Sequence, residues 1–153
     1  RGRMTKEGIR LHEPEDFAGM HAAGRLAAQI LDEIAEHVFP GQTTGEIDRI
    51  IEEKVNAAGA TSATIGYKGY KHASCISVNH VVCHGIPSDK KLKDGDILII
   101  DVTVIVDGWF GDTSRMYVAG KLARKAERLI QVTHDALMIG IEAAKPGNTF
   151  GDI

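Results

Sequence analysis

Apolar residues recur at helical spacing from Glu15 to about Val38, where Phe17, Ala23, Leu26, Ile30, Ile34 and Val38 share one face. The stretch predicts an amphipathic helix, and Pro40-Gly41 stops it. Thr43-Thr44-Gly45-Glu46 then reads as a capping box, in which the Thr43 hydroxyl accepts from the Glu46 amide and the Glu46 carboxylate reaches back. Ile47, Ile50, Ile51 and Val55 predict a second helix to about Ala58, ended by Gly59. Beyond a strand-and-loop region rich in Gly, Tyr and Ser, the period changes. Residues 97–106 form a near-continuous β-branched run, of the kind usually buried on both faces of a sheet. Asp107-Gly108 is a favoured two-residue hairpin turn, and residues 109–118 return beside the first strand. Gly120 closes the ribbon, and residues 122–145 predict a third helix.

One segment echoes another. PGQTTGEI, Pro40 to Ile47, nearly recurs as PGNTFGDI, Pro146 to Ile153, with five of eight positions identical. The preceding helices align as well, Leu26 over Val132 and Leu31 over Leu137. Any helix–turn–helix connector uses Pro-Gly to stop and Thr-x-x-acid to restart, so local chemistry alone accounts for part of the likeness. The extent of identity favours an internal repeat. On that reading the first copy continues into a helix and a ribbon, the second stops at its first helical turn, and the chain is expected to be a fragment.

Composition narrows the function classes. With 153 residues, 43% hydrophobic and 25% charged, the chain has the make-up of one globular domain with a real core. A net charge of −3 gives no basic stripe, so no specific nucleic-acid partner is expected. No apolar run reaches membrane-spanning length, and Arg-Gly-Arg-Met at the start reads as a ragged terminus rather than a leader. Residues 1–14 are polar and expected to be loosely held. Cys75 and Cys83 have neither zinc-site nor disulfide-framework spacing, which points to reduced thiols in the cytosol.

Asp101 stands out because it interrupts the apolar run Ile97–Val106. Burying a carboxylate requires a proton, a hydrogen bond or a cation. If Asp107-Gly108 is a two-residue loop, Val106 pairs with Trp109 and Thr103 with Asp112. Side chains alternate, so Asp101 and Asp112 become diagonal neighbours on one face, roughly 7–8 Å apart at the backbone. A longer loop or a bulge would break this parity. Taken singly, Asp112 reads as a turn-ending residue and Asp101 as an acceptor of backbone amides. Together on one face they favour a metal site, whose ion two carboxylates do not specify. His84, held by the following Gly-Ile-Pro, adds an imidazole of fixed direction. The other six histidines are read as ordinary solvated or helical residues, His21, His37 and His134 among the latter.

From Glu13 to Ile153 the chain resembles the amino-terminal portion of bacterial type I methionine aminopeptidase. The likeness is carried by GYKGYKHASCISVNHVVCHGIP, by LKDGDILIIDVTVIVDGWFGDTSRMYVAG and by AGRLAAQILDEI. It implies an α+β pita-bread fold, of which this chain would hold the first half and the first helix of the second. The implied domain organisation is an extension at 1–14 and a partial catalytic domain at 15–153, made of a helix-helix-ribbon half (15–120) and the start of a second repeat (122–153). The implied activity is removal of the initiator methionine by dinuclear-metal hydrolysis. The resemblance makes Asp101 a terminal metal ligand, Asp112 the bridging ligand and His84 the histidine that hydrogen-bonds substrate near the scissile bond. Tyr67, Tyr70 and Cys75 would wall the methionine pocket, Thr103 would support the ligands, and Asn79 marks a monovalent-cation position. The metals would be two divalent ions, with Co, Mn, Fe and Zn not distinguished.

The same resemblance implies nascent peptides beginning with Met as partners, ribosome association, a cytoplasmic location, a full-length monomer and no membrane partner. The family's remaining ligands, a histidine and two glutamates, and a second substrate-contacting histidine belong to its second half and are not in these residues. Lys71 stands where the family usually has Pro, and Thr64 where a pocket-wall cysteine is common. With two of five ligands, the 153-residue chain alone is expected to be inactive and to bind metal weakly. The alternative is a non-catalytic peptide- or protein-binding module of the same fold. A proline-specific relative fits NHVVCHGIP poorly, and a self-contained domain with a structural Asp101 is the remaining reading.

Overall fold

The computed structural model describes residues 2–153. A small hairpin of β1 (Arg3–Met4) and β2 (Arg10–Leu11) leads into helix α1 (Phe17–Ile34). Helix α2 (Thr44–Ala57) follows, then strands β3 (Thr61–Ser62), β4 (Ser74–Val78), β5 (Ile97–Val106) and β6 (Trp109–Val118). Helix α3 (Arg124–Ala143) comes last. Strand β5 is the centre of an antiparallel sheet. Along one edge it pairs with β6 over its whole length, and β3 and β4 share the other edge in succession.

The ribbon forms as the sequence predicts. Asp107 and Gly108 both have positive φ, 49° and 81°, the mirror-image turn whose twist matches the flanking strands. Val106 faces Trp109 and Thr103 faces Asp112. Burial does not follow the expectation for an apolar run. Leu98, Ile100, Val102 and Val104 are buried, whereas Ile97, Ile99, Asp101, Thr103 and Ile105 are only half-buried. Helices cover one face of β5, and the other is open where it carries polar chemistry.

The core lies on the covered face. Ala27, Ile30, Leu31 and Ile34 of α1 and Ile47, Ile51 and Val55 of α2 pack with the even-numbered residues of β5. Helix α1 runs so close over β6 that a Cβ at Gly111 would stand 2.2 Å from the Ala23 carbonyl oxygen. The Tyr117 hydroxyl, donating to the Leu31 carbonyl, fastens the same crossing. Phe17, placed on the apolar face by its spacing, is 51% exposed because it opens the helix beyond the sheet's cover.

Two local expectations are corrected. The Thr43 hydroxyl does accept from the Glu46 amide at 3.1 Å, but the Glu46 carboxylate binds Arg49 instead of reaching back. The Gln42 side chain takes the Thr43 amide at 3.0 Å. Residues 1–14, read as loose, include the β1–β2 hairpin, and His12 beyond it lies 5.0 Å from the Trp109 ring. Helix α3 forms where the sequence predicts a third helix and contributes no buried residue; Leu129, Val132, Leu137 and Ile141 are exposed. The two echoing octets share their backbone. Gly41 and Gly147 both have φ near 95°, and Thr43 and Thr149 are both extended N-caps. In the second octet Asp152 reaches back to the Thr149 amide at 2.6 Å.

Gly111→Ala is expected to lower the unfolding free energy by about 1–3 kcal/mol, the usual cost of overpacking against backbone. A methyl at Gly24 of α1 meets nothing within 4 Å. Gly24→Ala should therefore stabilise, by roughly 0.5–1 kcal/mol from helix propensity. Urea unfolding curves read both, and equal behaviour of the two variants would contradict the packing described.

Candidate metal centre and cleft

The open face of the sheet holds the polar groups in one place. Thr103 faces Asp112 across β5 and β6, and Asp101 lies two residues away on the same face. On the other side of β5, Cys75 of β4 is directly opposite Asp101. These residues line a cleft of about 770 Å³ together with Tyr67, Tyr70, Thr64 and His84. All six residues expected at the site, Asp101, Asp112, His84, Tyr67, Tyr70 and Cys75, border this one cleft. Ile86 and Phe110, both exposed, extend its apolar rim and were not anticipated from the sequence.

His84 reaches the cleft because the next residue is glycine. The Ile76 amide of β4 donates to the Gly85 carbonyl at 2.9 Å, and the Gly85 amide donates to the Ser77 hydroxyl at 3.0 Å. A Cβ at Gly85 would stand 2.2 Å from the Ile76 carbonyl oxygen, so no other residue permits this approach. His84 itself takes a left-handed backbone, φ 54°, at the turn. The segment beyond is secured to the start of α2, where the Gly45 amide donates to the Ser88 carbonyl at 2.7 Å.

The electrostatics single out Asp101. Burial pushes its pKa above the ordinary carboxylate value, the Asp112 carboxylate raises it further, and His84 partly offsets both. Burial also pushes the Cys75 thiol and the Tyr70 hydroxyl up. Cys75 Sγ lies 3.6 Å from the Tyr70 oxygen. Two carboxylates on one face, with the Asp112 charge raising the proton affinity of Asp101, fit a divalent cation between them, since a cation is what removes the repulsion. The donor set is partial: among the described residues no group of three or more His, Cys, Asp or Glu is arranged to hold an ion. Asn79, the expected cation marker, lies outside the cleft lining. It has φ 54°, donates to Asp96 at 2.8 Å, and accepts the Ile97 amide at 3.1 Å.

One buried cluster escaped the sequence reading. His72, an ordinary solvated residue by its sequence, has its Nδ1 3.0 Å from Asp48, a carboxylate only 5% exposed in α2. Asp48 also accepts from the amide and the hydroxyl of Ser74 at 2.9 and 2.6 Å. The signal was present: Asp48 lies on the stripe of Thr44, Ile51 and Val55, all buried.

The model of metallopeptidase family M24 matches residues 18–153, and the chain belongs to that family. Within it the likeness is to methionine aminopeptidases. The chain is 54% identical over 145 residues to methionine aminopeptidase of Rickettsia prowazekii, covering 95% of this chain and 56% of that protein. It is 50% identical over 147 residues to methionine aminopeptidase of Escherichia coli K12, with the same coverages. The crystal structure of the Rickettsia prowazekii enzyme superposes with a TM-score of 0.85 over 87% of this chain and 54% of that one. Prolidase from Pyrococcus furiosus, 23% identical with a TM-score of 0.78, shares the fold, covering 90% of this chain and 39% of that one. The expected pita-bread fold is thus the fold of this chain, which spans about half the length of the curated relatives it matches. No helix among the described residues is long and apolar enough to cross a membrane.

Asp101→Asn should raise the stability of the metal-free chain in chelator at neutral pH, because it removes one of two repelling charges. The face is partly solvated, so the gain is expected to be roughly 0.5–1 kcal/mol. Thermal unfolding checks it, and a clear loss of stability would show that the carboxylate is satisfied within the chain.

Proposed function

We propose that the protein to which these residues belong removes the amino-terminal methionine from new polypeptides. The observation that carries this reading is the convergence of Asp101, Asp112 and His84 on one cleft that Tyr67, Tyr70 and Cys75 also line. Asp101 and Asp112 would be this chain's ligands to two divalent ions. Bound there, such ions supply a water of lowered pKa and a Lewis acid for the scissile carbonyl. His84, directed by the Gly85 contact, would hydrogen-bond the substrate beside that bond. The aromatic wall would receive a flexible thioether side chain, which makes favourable sulfur–ring contacts. Thr103, facing Asp112, would help orient that carboxylate.

The rest of the reading follows from the resemblance to methionine aminopeptidases. It comprises a substrate that is a nascent chain beginning with Met, action in the cytoplasm near the ribosome, a monomeric complete enzyme and a monovalent cation near Asn79. The 153 residues alone supply two ligands, so they are expected to bind metal weakly and cleave nothing appreciable. The second reading is a peptide-binding module of the same fold without catalysis, and the presence of Asp101, Asp112 and His84 on one cleft speaks against it.

In the complete enzyme, Asp112→Asn should reduce cleavage of a Met-Ala peptide by more than the roughly 10–100-fold that supporting residues around a metal cost. A chelator should abolish the wild-type rate and added divalent metal restore it. Peptide binding with no cleavage under any metal supports the second reading. Robust cleavage by the 153-residue chain of confirmed mass would overturn the requirement for ligands from outside it.

A further inference from the structure

Asp48 and Asp96 are the two charged side chains buried among the described residues. Asp48 stands on α2, behind the sheet, and never borders the cleft. Its Oδ1 accepts from the Ser74 amide and hydroxyl at 2.9 and 2.6 Å, and its Oδ2 lies 3.0 Å from His72 Nδ1. Ser74 is completely buried and gives its hydroxyl to the carboxylate, not to the imidazole, so the trio is no nucleophilic triad. What it does hold is the strand that walls the cleft.

Strand alternation makes this a contact through the sheet. Ser74 faces the helices, and Cys75, the next residue, faces the cleft. The Tyr70 hydroxyl donates to the Ser74 carbonyl at 2.8 Å, and Cys75 Sγ donates to the Tyr70 oxygen at 3.6 Å. The His72 ring lies edge-on to Tyr70 with centroids 5.5 Å apart, and its carbonyl accepts from Thr64 at 2.6 Å. Three wall residues, Thr64, Tyr70 and Cys75, are therefore tied to the segment that Asp48 grips from behind.

We infer that Asp48 is a positioning residue for the cleft. It fixes Ser74 and His72 on the helix side, and through them the Tyr70–Cys75 wall that receives an apolar side chain. The inference rests on the reading of this cleft as a side-chain pocket. A carboxylate suits the task because two oxygens face three donors; an amide offers one acceptor and turns an N–H₂ toward the rest.

The test compares iodoacetamide alkylation of Cys75 in the wild-type chain, in Asp48→Asn and in Gly111→Ala, resolved from exposed Cys83 by peptide mass mapping. Asp48→Asn should speed Cys75 alkylation roughly fivefold, the factor one net hydrogen bond is worth, and leave Cys83 unchanged. Gly111→Ala, weakened at the α1–β6 crossing, should not reproduce that rise. An unchanged Cys75 rate in Asp48→Asn, or an equal rise in Gly111→Ala, would overturn the inference, because Asp48 would then act only on overall stability. If Asp48→Asn does not fold, Ser74→Ala, which removes one arm of the grip, is read by the same criteria. In the complete enzyme Asp48→Asn should raise KM for a Met-peptide several-fold with kcat nearly unchanged; a fall in kcat alone would count against positioning. Absence of any wild-type cleavage would defeat the peptidase reading, and the alkylation comparison would still decide the role of Asp48.

Discussion

A two-residue turn at Asp107-Gly108 leaves β5 and β6 one way to pair, and the geometry of the site depends on that pairing. With both turn residues at positive φ, Thr103 must face Asp112, which puts Asp101 and Asp112 on one side of the ribbon. A slip by one residue would reverse every side chain of the strand that moved. The carboxylates would then lie on opposite faces, one of them against α1 with no partner. The covered face enforces the same register, since Gly111 and Tyr117 of β6 can meet α1 only if Asp112 is on the other side. Turn and core thus select one arrangement independently, and the chemistry inherits its precision from both.

The two faces of the sheet have different tasks. One is sealed by α1 and α2 with apolar side chains and two close backbone crossings, at Gly111 over Ala23 and at Gly45 beside Ser88. The other is open and carries Asp101, Asp112, Thr103 and Cys75. Glycine permits both kinds of contact. At Gly111 it lets a helix approach a strand, and at Gly85 it lets the loop bearing His84 lie along β4. A methyl at Gly85 would push the imidazole away from the carboxylates, although Gly85 touches neither of them.

Much of this was legible in the sequence. The helical stripe of α1, the capping threonine at 43, the Asp-Gly turn and the resulting face of Asp101 all follow from local periodicity and turn chemistry, which depend on near neighbours. Contacts between the helices and the strands beneath them were not legible. The Asp48–His72–Ser74 cluster links positions 24 and 26 residues apart, and only the packing of α2 on β4 brings them together. A continuous apolar run could not report that one of its faces stays half open, because composition carries no information about what covers a strand. The capping box at Thr43 formed only in half, since Arg49 one turn on offers Glu46 an ion pair. The metal roles of Asp101 and Asp112 and the substrate roles of His84, Tyr67, Tyr70 and Cys75 came from resemblance. The structure adds their convergence on one cleft.

The aspartates themselves separate structure from function. Asp48 is buried and fully met by three donors on His72 and Ser74. For Asp96 burial pushes the pKa up, but the Asn79 side chain and the Lys93 amide outweigh it and hold the carboxyl below its usual range. Both are acids whose charge the fold has answered. Asp101 is the opposite case: burial and a second carboxylate both push its pKa up, and only His84 opposes them. A fold that satisfies its other buried carboxylates so completely would have had simple routes to satisfy this one, such as an amide or a lysine in place of Asp112. Keeping two like charges face to face costs stability unless something positive comes between them, so the unanswered pair, more than any single residue, is what the proposed metal site rests on.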